Sequence, residues 1–564
     1  MFLPTTREEV RELGWDGLDV ILVSGDTYID SSYSGISVIG HVLVDAGFHV
    51  GVIAQPDLHS DADIARLGEP RLFWGVSAGC VDSMVANYTA LKKRRRADDF
   101  TPGGENTRRP DRASIIYANL IRAHFKQTVP IVLGGVEASL RRIAHYDFWS
   151  DKIRRSILFD AKADVLVYGM GEKAVLDLAW AYRDGRPIED VCGICYIAKE
   201  PRSGYRMLPS FAEVSKDKEQ FRAMFALFYR NNDPLTARGL VQQHDNRCLI
   251  QNPPALPLSE EEIDRVYGLE YERDVHPFYK KQGSVRALET IRYSVTTHRG
   301  CYGECNFCAI AVHQGRTIVS RSEQSIVREI ESMASDKEFK GIISDVGGPT
   351  ANMYGFECEK KLAKGSCPAK RCVFPDACSE LPISHEPQIR LLRKIRAVRG
   401  VKKAFVASGL RYEMILEDEA WGDAYLDELV EHHISGQLKI APEHMSGRVL
   451  DRMGKPRNEF LARFKERFDR LNERKGKKQF LTYYLIAAHP GCELKDMEEL
   501  KRYSTDVLRI SPEQVQIFTP TPSTWSTLMY YTERDPFTGE PLAVEKDAVR
   551  KDRQKQAVTA KRAR

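Results

Sequence analysis

Residues 299–308 of this chain read Arg-Gly-Cys-Tyr-Gly-Glu-Cys-Asn-Phe-Cys, which places cysteines at Cys301, Cys305 and Cys308. The spacing is CxxxCxxC, with an aromatic residue before the last cysteine. Three thiolates on one short loop can hold three irons of a cubane iron–sulfur cluster, and the fourth iron is then left without a protein ligand. A structural zinc loop is the alternative, but zinc sites favour two separated cysteine pairs. The stretch therefore predicts a 4Fe-4S cluster with one iron open to a small molecule.

The cysteine loop, as residues 299–308 are called below, follows directly on the first of six predicted strands. These strands alternate with helical stretches, which is typical of parallel β/α units. Six such units in sequence predict a partial (β/α)6 barrel over residues 286–535, with its working face at the carboxyl ends of the strands. The predicted strands are 291–296, 341–345, 403–407, 437–441, 479–488 and 514–519.

The first 200 residues predict a separate domain of the α/β class. Buried-strand patterns alternate with helical periodicity, which indicates a doubly wound, mostly parallel sheet. Residues 201–285 are polar and contain a Pro-rich turn, so they are predicted as a connector. Residues 536–564 are rich in Lys and Arg, and we expect a basic C-terminal tail that is a solvated helix or disordered. The strands predicted for the first domain are 19–24, 48–54, 72–77, 130–134 and 164–168.

Charge and hydropathy narrow the class of protein further. Lys plus Arg (83) and Asp plus Glu (79) leave a net charge of +4, so no global field marks a dedicated nucleic-acid binder. The most suggestive apolar stretch, 35–54, is interrupted by His41, Asp45 and His49 and does not predict a membrane span. Twelve cysteines without a secretory pattern at the N-terminus indicate metal or redox chemistry rather than disulfides. We expect a cytoplasmic protein that does not engage a membrane.

Four further cysteines lie on one loop after the second predicted barrel strand. Eight, four and five residues separate them, and the loop is rich in Gly, Pro and Lys. Four thiols beside a barrel mouth could hold a second iron–sulfur cluster or a zinc ion. Reduced, mutually unrelated thiols are the alternative. This thiol set consists of Cys358, Cys367, Cys372 and Cys378.

A cysteine triplet at the head of a six-strand β/α barrel resembles the radical S-adenosylmethionine (SAM) superfamily. Residues after the later strands match that resemblance in order, and it implies that they contact SAM. In that superfamily a Gly-rich turn receives the SAM amino group, a polar residue touches the ribose or the methionine carboxylate, and a backbone segment meets the adenine. The implied cofactor-binding residues are Gly347, Gly348, Ser408, Arg411, Glu443 and His489.

Four longer segments narrow the resemblance to the YgiQ-like family of bacterial radical SAM proteins. They are residues 101–120, 134–142, 168–172 and 344–354. The resemblance implies an enzyme with a 4Fe-4S cluster, which cleaves SAM reductively to methionine and a 5′-deoxyadenosyl radical. It also implies an electron donor such as flavodoxin or ferredoxin. It does not supply a substrate, and no residue is predicted to act on one.

A doubly wound sheet ahead of a radical SAM barrel is similar to the cobalamin-binding domain of one large subclass. The turns at Gly134-Gly135 and 168–172 lie at strand ends, where that subclass has ligand-facing turns. The loop after the first strand contains no His that could replace the lower axial base, and Arg141-Arg142 adds charge beside the glycine pair. Cobalamin binding and a sheet that binds substrate or has lost its ligand remain alternatives.

A second hypothesis for the function belongs to another class. The run Lys92-Lys93-Arg94-Arg95-Arg96 and the basic tail could bind RNA or a ribosome in a noncatalytic iron–sulfur protein. Such runs are usually solvated, and no aromatic residues interleave this one for base stacking. Because a mere cluster holder has no use for SAM-contact turns, the sequence favours the enzyme.

Overall fold

The computed structural model describes residues 1–368, 371–457 and 459–559. The chain forms two compact units. Unit 1 comprises Met1–Leu258 and Arg265–Arg292, and unit 2 comprises Ser259–Asp264 and the chain from Tyr293 onward. No helix within the described residues combines the length and the apolar character needed to cross a bilayer.

Strands of unit 1 alternate with helices over its first 200 residues. The strands are β1 (Val20–Ser24), β2 (Ile29–Asp30), β3 (Val50–Ala54), β4 (Phe73–Ser77), β5 (Ile131–Gly134), β6 (His145–Asp147), β7 (Lys152–Arg154), β8 (Val165–Val167), β9 (Ile194–Ala198), β10 (Arg206–Leu208), β11 (Leu240–His244), β12 (Arg247–Gln251) and β13 (Asp274–Val275). The helices are α1 (Arg7–Glu12), α2 (Gly35–Asp45), α3 (Ser83–Asn87), α4 (Ala113–His124), α5 (Gly135–Leu140), α6 (Ile157–Ala161), α7 (Glu172–Arg183), α8 (Phe211–Val214), α9 (Lys218–Arg230), α10 (Glu260–Gly268, which crosses the unit boundary), α11 (Pro277–Lys280) and α12 (Ala287–Ile291).

A nine-stranded sheet runs through unit 1 in the order β10-β11-β12-β9-β8-β5-β4-β1-β3. The five strands from β8 to β3 are parallel, as predicted for a doubly wound domain. Every residue of β1 and β3 is buried, which explains why both read as continuous apolar runs rather than alternating ones. The predicted α/β fold class with an N-terminal parallel sheet is confirmed.

The stretch 201–285, predicted as a connector, supplies three strands to this sheet. β11 and β12 form an antiparallel hairpin, with Leu240 opposite Gln251, and β12 pairs with β9. Asp245 has a φ of 54° in the turn between them, a conformation that Asp tolerates better than most residues. The compact N-terminal unit therefore extends well beyond residue 200.

Unit 2 continues the alternation of strands and helices. Its strands are β14 (Ser294–Thr296), β15 (His298–Arg299), β16 (Val319–Ser320), β17 (Ile342–Ile343), β18 (Asp345–Gly347), β19 (Lys403–Ala404), β20 (Gln437–Glu443), β21 (Phe480–Ala487) and β22 (Gln516–Ile517). Its helices are α13 (Ile310–His313), α14 (Glu323–Ala334), α15 (Glu359–Lys364), α16 (Glu386–Ala397), α17 (Tyr412–Glu417), α18 (Gly422–Glu428), α19 (Gly447–Met453), α20 (Glu459–Lys475), α21 (Leu494–Asp506), α22 (Trp525–Thr532) and α23 (Ala548–Thr559), with a π-helical turn at Leu429–His433.

The strands of unit 2 follow one another in space as they do in sequence. β14 pairs with β18, β17 pairs with β19, and β20, β21 and β22 form a parallel ladder. A parallel bridge between Leu410 and Ile440 joins the third strand position to the fourth. Every one of these pairings is parallel, so the carboxyl ends of the strands lie at one mouth. Each of the six predicted strands overlaps an observed one.

The last described helix, α23, differs from the expected solvated or disordered tail, and residues 560–564 of that predicted tail lie outside the described residues. α23 packs against α21, β21 and β22, and Val558 is fully buried in an apolar cluster with Leu485 and Met497. Gln554 accepts a hydrogen bond from the Ala488 amide at 3.1 Å, just past the fifth barrel strand. The basic composition misled the prediction because few inward-facing residues are enough to hold this helix.

Replacing Val558 with Asp is expected to lower the free energy of unfolding by about 3 kcal/mol, because an unpaired charge would replace a buried aliphatic side chain. Val549, at the other end of α23, is 76% exposed. Val549→Asp is therefore the matched control, with an expected change within about 0.5 kcal/mol. Urea unfolding of both variants measures the difference. Equal losses would show that α23 does not dock.

Candidate metal centre

The cysteine loop begins at the carboxyl end of the first barrel strand, β14. β15 and β16 pair antiparallel on either side of it and close the loop on itself. Gly300 has a φ of 81°, and a Cβ there would lie 2.0 Å from the carbonyl oxygen of Thr317. Only glycine fits that position, so the loop turns sharply into Cys301 at the mouth of the barrel.

Two of the three sulfurs flank one glycine inside this loop. A Cβ built on Gly303 would lie 3.2 Å from Cys301 Sγ and 3.6 Å from Cys305 Sγ. The Gly303 amide donates to Cys301 Sγ at 3.3 Å, and the hydroxyl of Thr350 is also 3.3 Å from that sulfur. The Cys308 amide donates to the Cys305 carbonyl at 3.0 Å, which holds the last two cysteines in one turn.

Within the described ranges, no three His, Cys, Asp or Glu side chains converge on the position of a single metal ion. A structural zinc needs its ligands around one point. In a cubane cluster each thiolate bonds a different iron, so the three sulfurs stand apart around a larger group. That the three cysteines hold such a cluster follows from their spacing and stays a prediction.

Burial changes the acidity of the outer two thiols. It raises the pKa of Cys301, and it raises the pKa of Cys308 to about 12, to which neighbouring cysteines and Glu443 add. Neither thiol ionises at neutral pH without a metal. Because iron bonds the thiolate, cluster binding must supply the free energy that deprotonates them.

Groups from later parts of unit 2 hold the cysteine loop in place. Asn306 donates from its amide to the Met453 carbonyl at 2.8 Å and from Nδ2 to the Arg452 carbonyl at 2.9 Å. Its Oδ1 accepts from Arg371 Nη2 at 2.7 Å. Phe307 meets His489 edge to face, with ring centroids 6.3 Å apart. The loop is therefore fixed from both sides of the barrel mouth.

Gly347 and Gly348 lie at the end of β18, beside the start of the cysteine loop. A Cβ on Gly348 would lie 2.5 Å from the ring of His298, so this position must be glycine. His298 Nδ1 is 2.8 Å from the Thr297 hydroxyl, which donates to the Gly347 carbonyl. Burial lowers the pKa of this His to about 4, against the opposing effect of a hydrogen bond with the Thr350 backbone.

Ser408 follows the third strand and is tied to the second. Asp345 Oδ1 accepts from the amides of Ala407 at 2.8 Å and Ser408 at 3.1 Å, and its other oxygen accepts from the Ser408 hydroxyl. A Cβ on Gly347 would lie 3.4 Å from Ser408 Oγ. The structure thus brings Gly347, Gly348 and Ser408 together, and their contact with SAM stays a prediction.

Arg411 lies nearer to the cysteine sulfurs than the sequence suggests. It is 5% exposed, and Nη1 is 3.6 Å from Cys305 Sγ. Its Nη2 forms an ion pair with Glu413 Oε1 at 2.6 Å. Burial opposes the charged form, but the Glu413 carboxylate and the cysteines hold the pKa of Arg411 above its usual value. The Arg411 guanidinium stays charged beside the cysteine loop.

Glu443 ends β20 in a left-handed conformation with a φ of 65°, at an irregularity of the β20–β21 ladder. Such a conformation is costly for a residue other than glycine and often marks a functional position. The side chain is buried, and burial raises its pKa against the opposing charges of Lys455 and Arg411. Lys455 also donates to the Ala441 carbonyl at 2.5 Å.

His489 is fully buried, and both of its ring nitrogens have hydrogen-bond partners within the protein. Its Nδ1 is 3.0 Å from the Pro490 carbonyl, and its Nε2 is 2.6 Å from the Ser526 hydroxyl. Burial lowers its pKa to about 3. The side chain is thus committed to internal bonds, while the adjacent backbone at Ala488 has a φ of 57°. Its contact with Phe307 brings the end of β21 to the cysteine loop.

The thiol set is partly brought together. Cys358, Cys372 and Cys378 belong to one apolar cluster around Tyr302 of the cysteine loop, and Cys367 is not part of it. Burial raises the pKa of Cys372 to about 11, with Lys361 opposing the shift. These thiols pack as small apolar groups in the described structure. A second metal at the four positions stays a prediction.

A buried chain of side chains behind Arg411 was missed in the sequence. Asn352 Oδ1 accepts from the Arg411 amide at 2.9 Å, and its Nδ2 is 3.1 Å from His385 Nε2. His385 Nδ1 is 2.8 Å from Asp418 Oδ2. Asn352 lies in the segment 344–354 that carries the resemblance, which was the available signal. The sequence gave no signal for the pairing of His385 with Asp418, because the two residues are 33 positions apart.

Three family profiles cover most of the chain. "Radical SAM N-terminal" matches residues 2–294, "Radical SAM superfamily" matches 295–504, and "Domain of unknown function (DUF3362)" matches 513–561. UPF0313 protein FN0734 of Fusobacterium nucleatum is 59% identical over 562 residues, which is 100% of this chain and 99% of the relative. The chain belongs to the UPF0313 family of radical SAM proteins. A UPF0313 protein of Thermotoga maritima is 48% identical over 566 residues, with 100% and 99% covered.

Solved structures of the same fold are more distant in sequence. The radical SAM methyltransferase TsrM of Kitasatospora setae, with cobalamin and a [4Fe-4S] cluster bound, matches with a TM-score of 0.51 at 17% identity, over 90% of this chain and 76% of that one. The cobalamin-dependent radical SAM enzyme OxsB, with aqua-cobalamin bound, matches with a TM-score of 0.50 at 14% identity, over 95% and 58%. These likenesses show the fold. The resemblance to the radical SAM superfamily and its YgiQ-like family is confirmed.

The residues of this UPF0313 protein fit the cluster and SAM that its superfamily implies. The three thiols stand on a loop at the barrel mouth, beside Gly347 and Gly348 at the end of β18. Buried polar atoms there lack hydrogen-bond partners among the described residues, namely Arg411 Nε and Glu413 Oε2. A zwitterionic ligand can pair with such atoms, whose burial without partners is otherwise costly.

The UPF0313 sheet does not fit cobalamin at its switch point. In doubly wound sheets a ligand binds outside the carboxyl ends of the strands, where the strand order reverses, here between β1 and β4. A Cβ on Gly25 would lie 2.2 Å from the Ala78 carbonyl oxygen, so the loops after the two strands touch. Arg109, with no exposed surface, lies over them and pairs with Asp26 at 2.6 Å and Asp98 at 3.1 Å.

The turns predicted to face a ligand are also occupied by the chain itself. A Cβ on Gly135 would lie 2.6 Å from Ser77 Oγ. Arg142 is fully buried, stacks on Tyr168 at 4.5 Å and donates to the Ser139 carbonyl at 2.6 Å. The charge of Arg142 beside the glycine pair is therefore internal to the sheet's own packing.

Proposed function

We propose that this protein is a cytoplasmic radical SAM enzyme that cleaves SAM reductively at a 4Fe-4S cluster held by Cys301, Cys305 and Cys308. The observation that carries the proposal is the cysteine loop at the carboxyl end of the first barrel strand, facing Gly348 and buried polar groups. A protein that only held a cluster would have no need of buried polar groups without partners beside it.

When bound, the reduced cluster supplies one electron to the sulfonium of SAM, and methionine and a 5′-deoxyadenosyl radical result. The backbone turn at Gly347 and Gly348, beside the cysteine loop, would receive the amino group of SAM, as the superfamily resemblance implies, and the His298 ring packs against Gly348. Asp345 fixes the Ser408 loop against the same space through three hydrogen bonds. Glu413, with one oxygen unpaired among the described residues, offers an acceptor to a cationic group of the ligand.

Glu443 and the backbone after β21 complete the proposed SAM site from the far strands. Glu443 is held in a strained conformation that aims its buried carboxylate near Cys308. The backbone around Ala488 is fixed by Gln554 of α23, so the C-terminal helix contributes to this wall. Burial of Glu413 and Glu443 would help to exclude water from a reactive radical.

Two partners follow from the chemistry. The cluster needs a one-electron donor, and a flavodoxin or ferredoxin meets that need. The radical needs a substrate with an abstractable hydrogen, which stays unnamed. Since the sheet of unit 1 does not fit cobalamin at its switch point, we propose chemistry that does not use it.

Reductive cleavage of SAM tests the proposal. Anaerobically reconstituted protein, given dithionite and SAM, should form 5′-deoxyadenosine and methionine in equal amounts. The Cys248→Ala variant, with a buried thiol in β12 of unit 1, should retain this activity. A protein with about four irons per chain that forms neither product would contradict the proposal. RNA binding by such a protein would favour the noncatalytic alternative.

A further inference from the structure

We propose that Arg411 is a positioning residue that raises the reduction potential of the cluster through its contact with Cys305, and that Asn352, His385 and Asp418 hold it there. This inference rests on the proposed function, because it assumes a cluster on the cysteine loop. It goes beyond the SAM contact that the sequence resemblance implies for Arg411.

Three atoms meet around Gly303. The position of its absent Cβ lies 2.8 Å from Arg411 Nη1, 3.2 Å from Cys301 Sγ and 3.6 Å from Cys305 Sγ. The guanidinium therefore touches the cysteine loop on the side where two cluster ligands stand. Arg411 is 5% exposed, so water does little to screen its charge from the sulfurs.

The backbone of Arg411 is clamped by one side chain. Asn352 Oδ1 accepts from the Arg411 amide at 2.9 Å, and Asn352 Nδ2 donates to the Arg411 carbonyl at 3.0 Å. The Asn352 side chain is fully buried. These two hydrogen bonds fix the backbone of Arg411 at the N-terminus of α17, and so they fix the point from which its side chain extends.

His385 orients that clamp. Its Nδ1 faces Asp418 Oδ2 at 2.8 Å, and the same carboxylate oxygen accepts from the His385 amide at 2.7 Å. Nδ1 therefore carries the proton and donates it to the carboxylate, which leaves Nε2 to accept from Asn352. Tyr425 stacks on the ring at 4.5 Å. Asn352, His385 and Asp418 act on the cysteine sulfurs only through Arg411.

Glu413 opposes the charge of Arg411. Its carboxylate pairs with Arg411 Nη2 at 2.6 Å, and it is 4% exposed. Reduction adds one negative charge to the cluster. A nearby positive charge and an N–H directed at a ligand sulfur favour the reduced form, and a nearby carboxylate disfavours it. Removing the two side chains should therefore move the potential in opposite directions.

A redox titration of the SAM-free cluster, followed by electron paramagnetic resonance (EPR), separates these effects. At the potential where half of the wild-type cluster is reduced, Arg411→Gln should show at least a tenfold lower ratio of reduced to oxidised cluster. That corresponds to about 59 mV for a one-electron couple. Glu413→Gln should raise the ratio, and Arg411→Lys, which keeps the charge, should fall between Arg411→Gln and wild type.

The positioning chain is tested by Asn352→Ala, which should lower the ratio less than Arg411→Gln does. SAM affinity, measured by equilibrium dialysis, is the second readout. Unchanged potentials with weakened SAM binding in Arg411→Gln would overturn the inference and leave Arg411 as a SAM contact. Potentials that shift in the same direction in both charge variants would overturn it as well. Failure of wild-type protein to assemble a cluster would instead contradict the proposed function.

Discussion

Replacing Cys308 with Ala is expected to abolish SAM cleavage, with a fall in the rate of 5′-deoxyadenosine formation of at least a thousandfold. Two thiols remain after the substitution, and one more iron loses its protein ligand. Because burial raises the pKa of Cys308 to about 12, the wild-type thiol gives up its proton only to a metal. The iron content and the cluster absorbance of the purified variant should fall together with the activity.

Cys248→Ala is the matched control for that experiment, since it removes another buried thiol from a strand of unit 1. We expect a loss of about 1 kcal/mol of stability and full cluster content. A Cys308→Ala protein with an unchanged cluster and unchanged product formation would show that the cluster is bound at another site. The thiol set on residues 358–378 would then be examined first.

Replacing Arg109 with Ala is expected to lower the free energy of unfolding by about 3–5 kcal/mol. The guanidinium has no exposed surface and pairs with both Asp26 and Asp98. Its loss leaves two buried carboxylates without a counter-charge. Burial already raises the pKa of Asp26, so its folded-state pKa lies above its unfolded one. The deficit should therefore shrink as the pH falls, because protonation removes the unpaired charge.

Arg96→Ala serves as the control, because Arg96 is exposed on the same segment. Its effect should stay within about 0.5 kcal/mol. Urea unfolding at neutral and at acidic pH measures both variants. A loss below about 1 kcal/mol for Arg109→Ala would show that this arginine does not fill the switch point as described.

Much of the architecture could be predicted from the sequence because its strands are short apolar runs between helical stretches. β1 and β3 are buried on both faces and stand out for that reason. The hairpin of β11 and β12 was missed, although Asp245 marks its turn, because the surrounding residues are polar. The docking of α23 was missed for a similar reason, since a basic helix needs few inward residues.

The candidate site was only partly predictable. The cysteine triplet is recognisable from its spacing within ten residues. The contact of Arg411 with Cys305 spans 106 positions and depends on how α17 enters the barrel, which no local pattern encodes. The position of Arg109 over the loops after β1 and β4 likewise depends on tertiary packing. Sequence therefore indicated the cysteine loop, while the structure indicated which side chains surround that loop.

EPR of the reduced cluster, recorded with and without SAM, is the most direct test of a three-cysteine cluster that binds SAM at its open iron. We expect the spectrum of wild-type protein to change its g values when SAM is added, because new ligands reach that iron. Methionine alone should change it less. A spectrum that stays identical at saturating SAM would show that no iron is open to SAM, and it would contradict the proposed function.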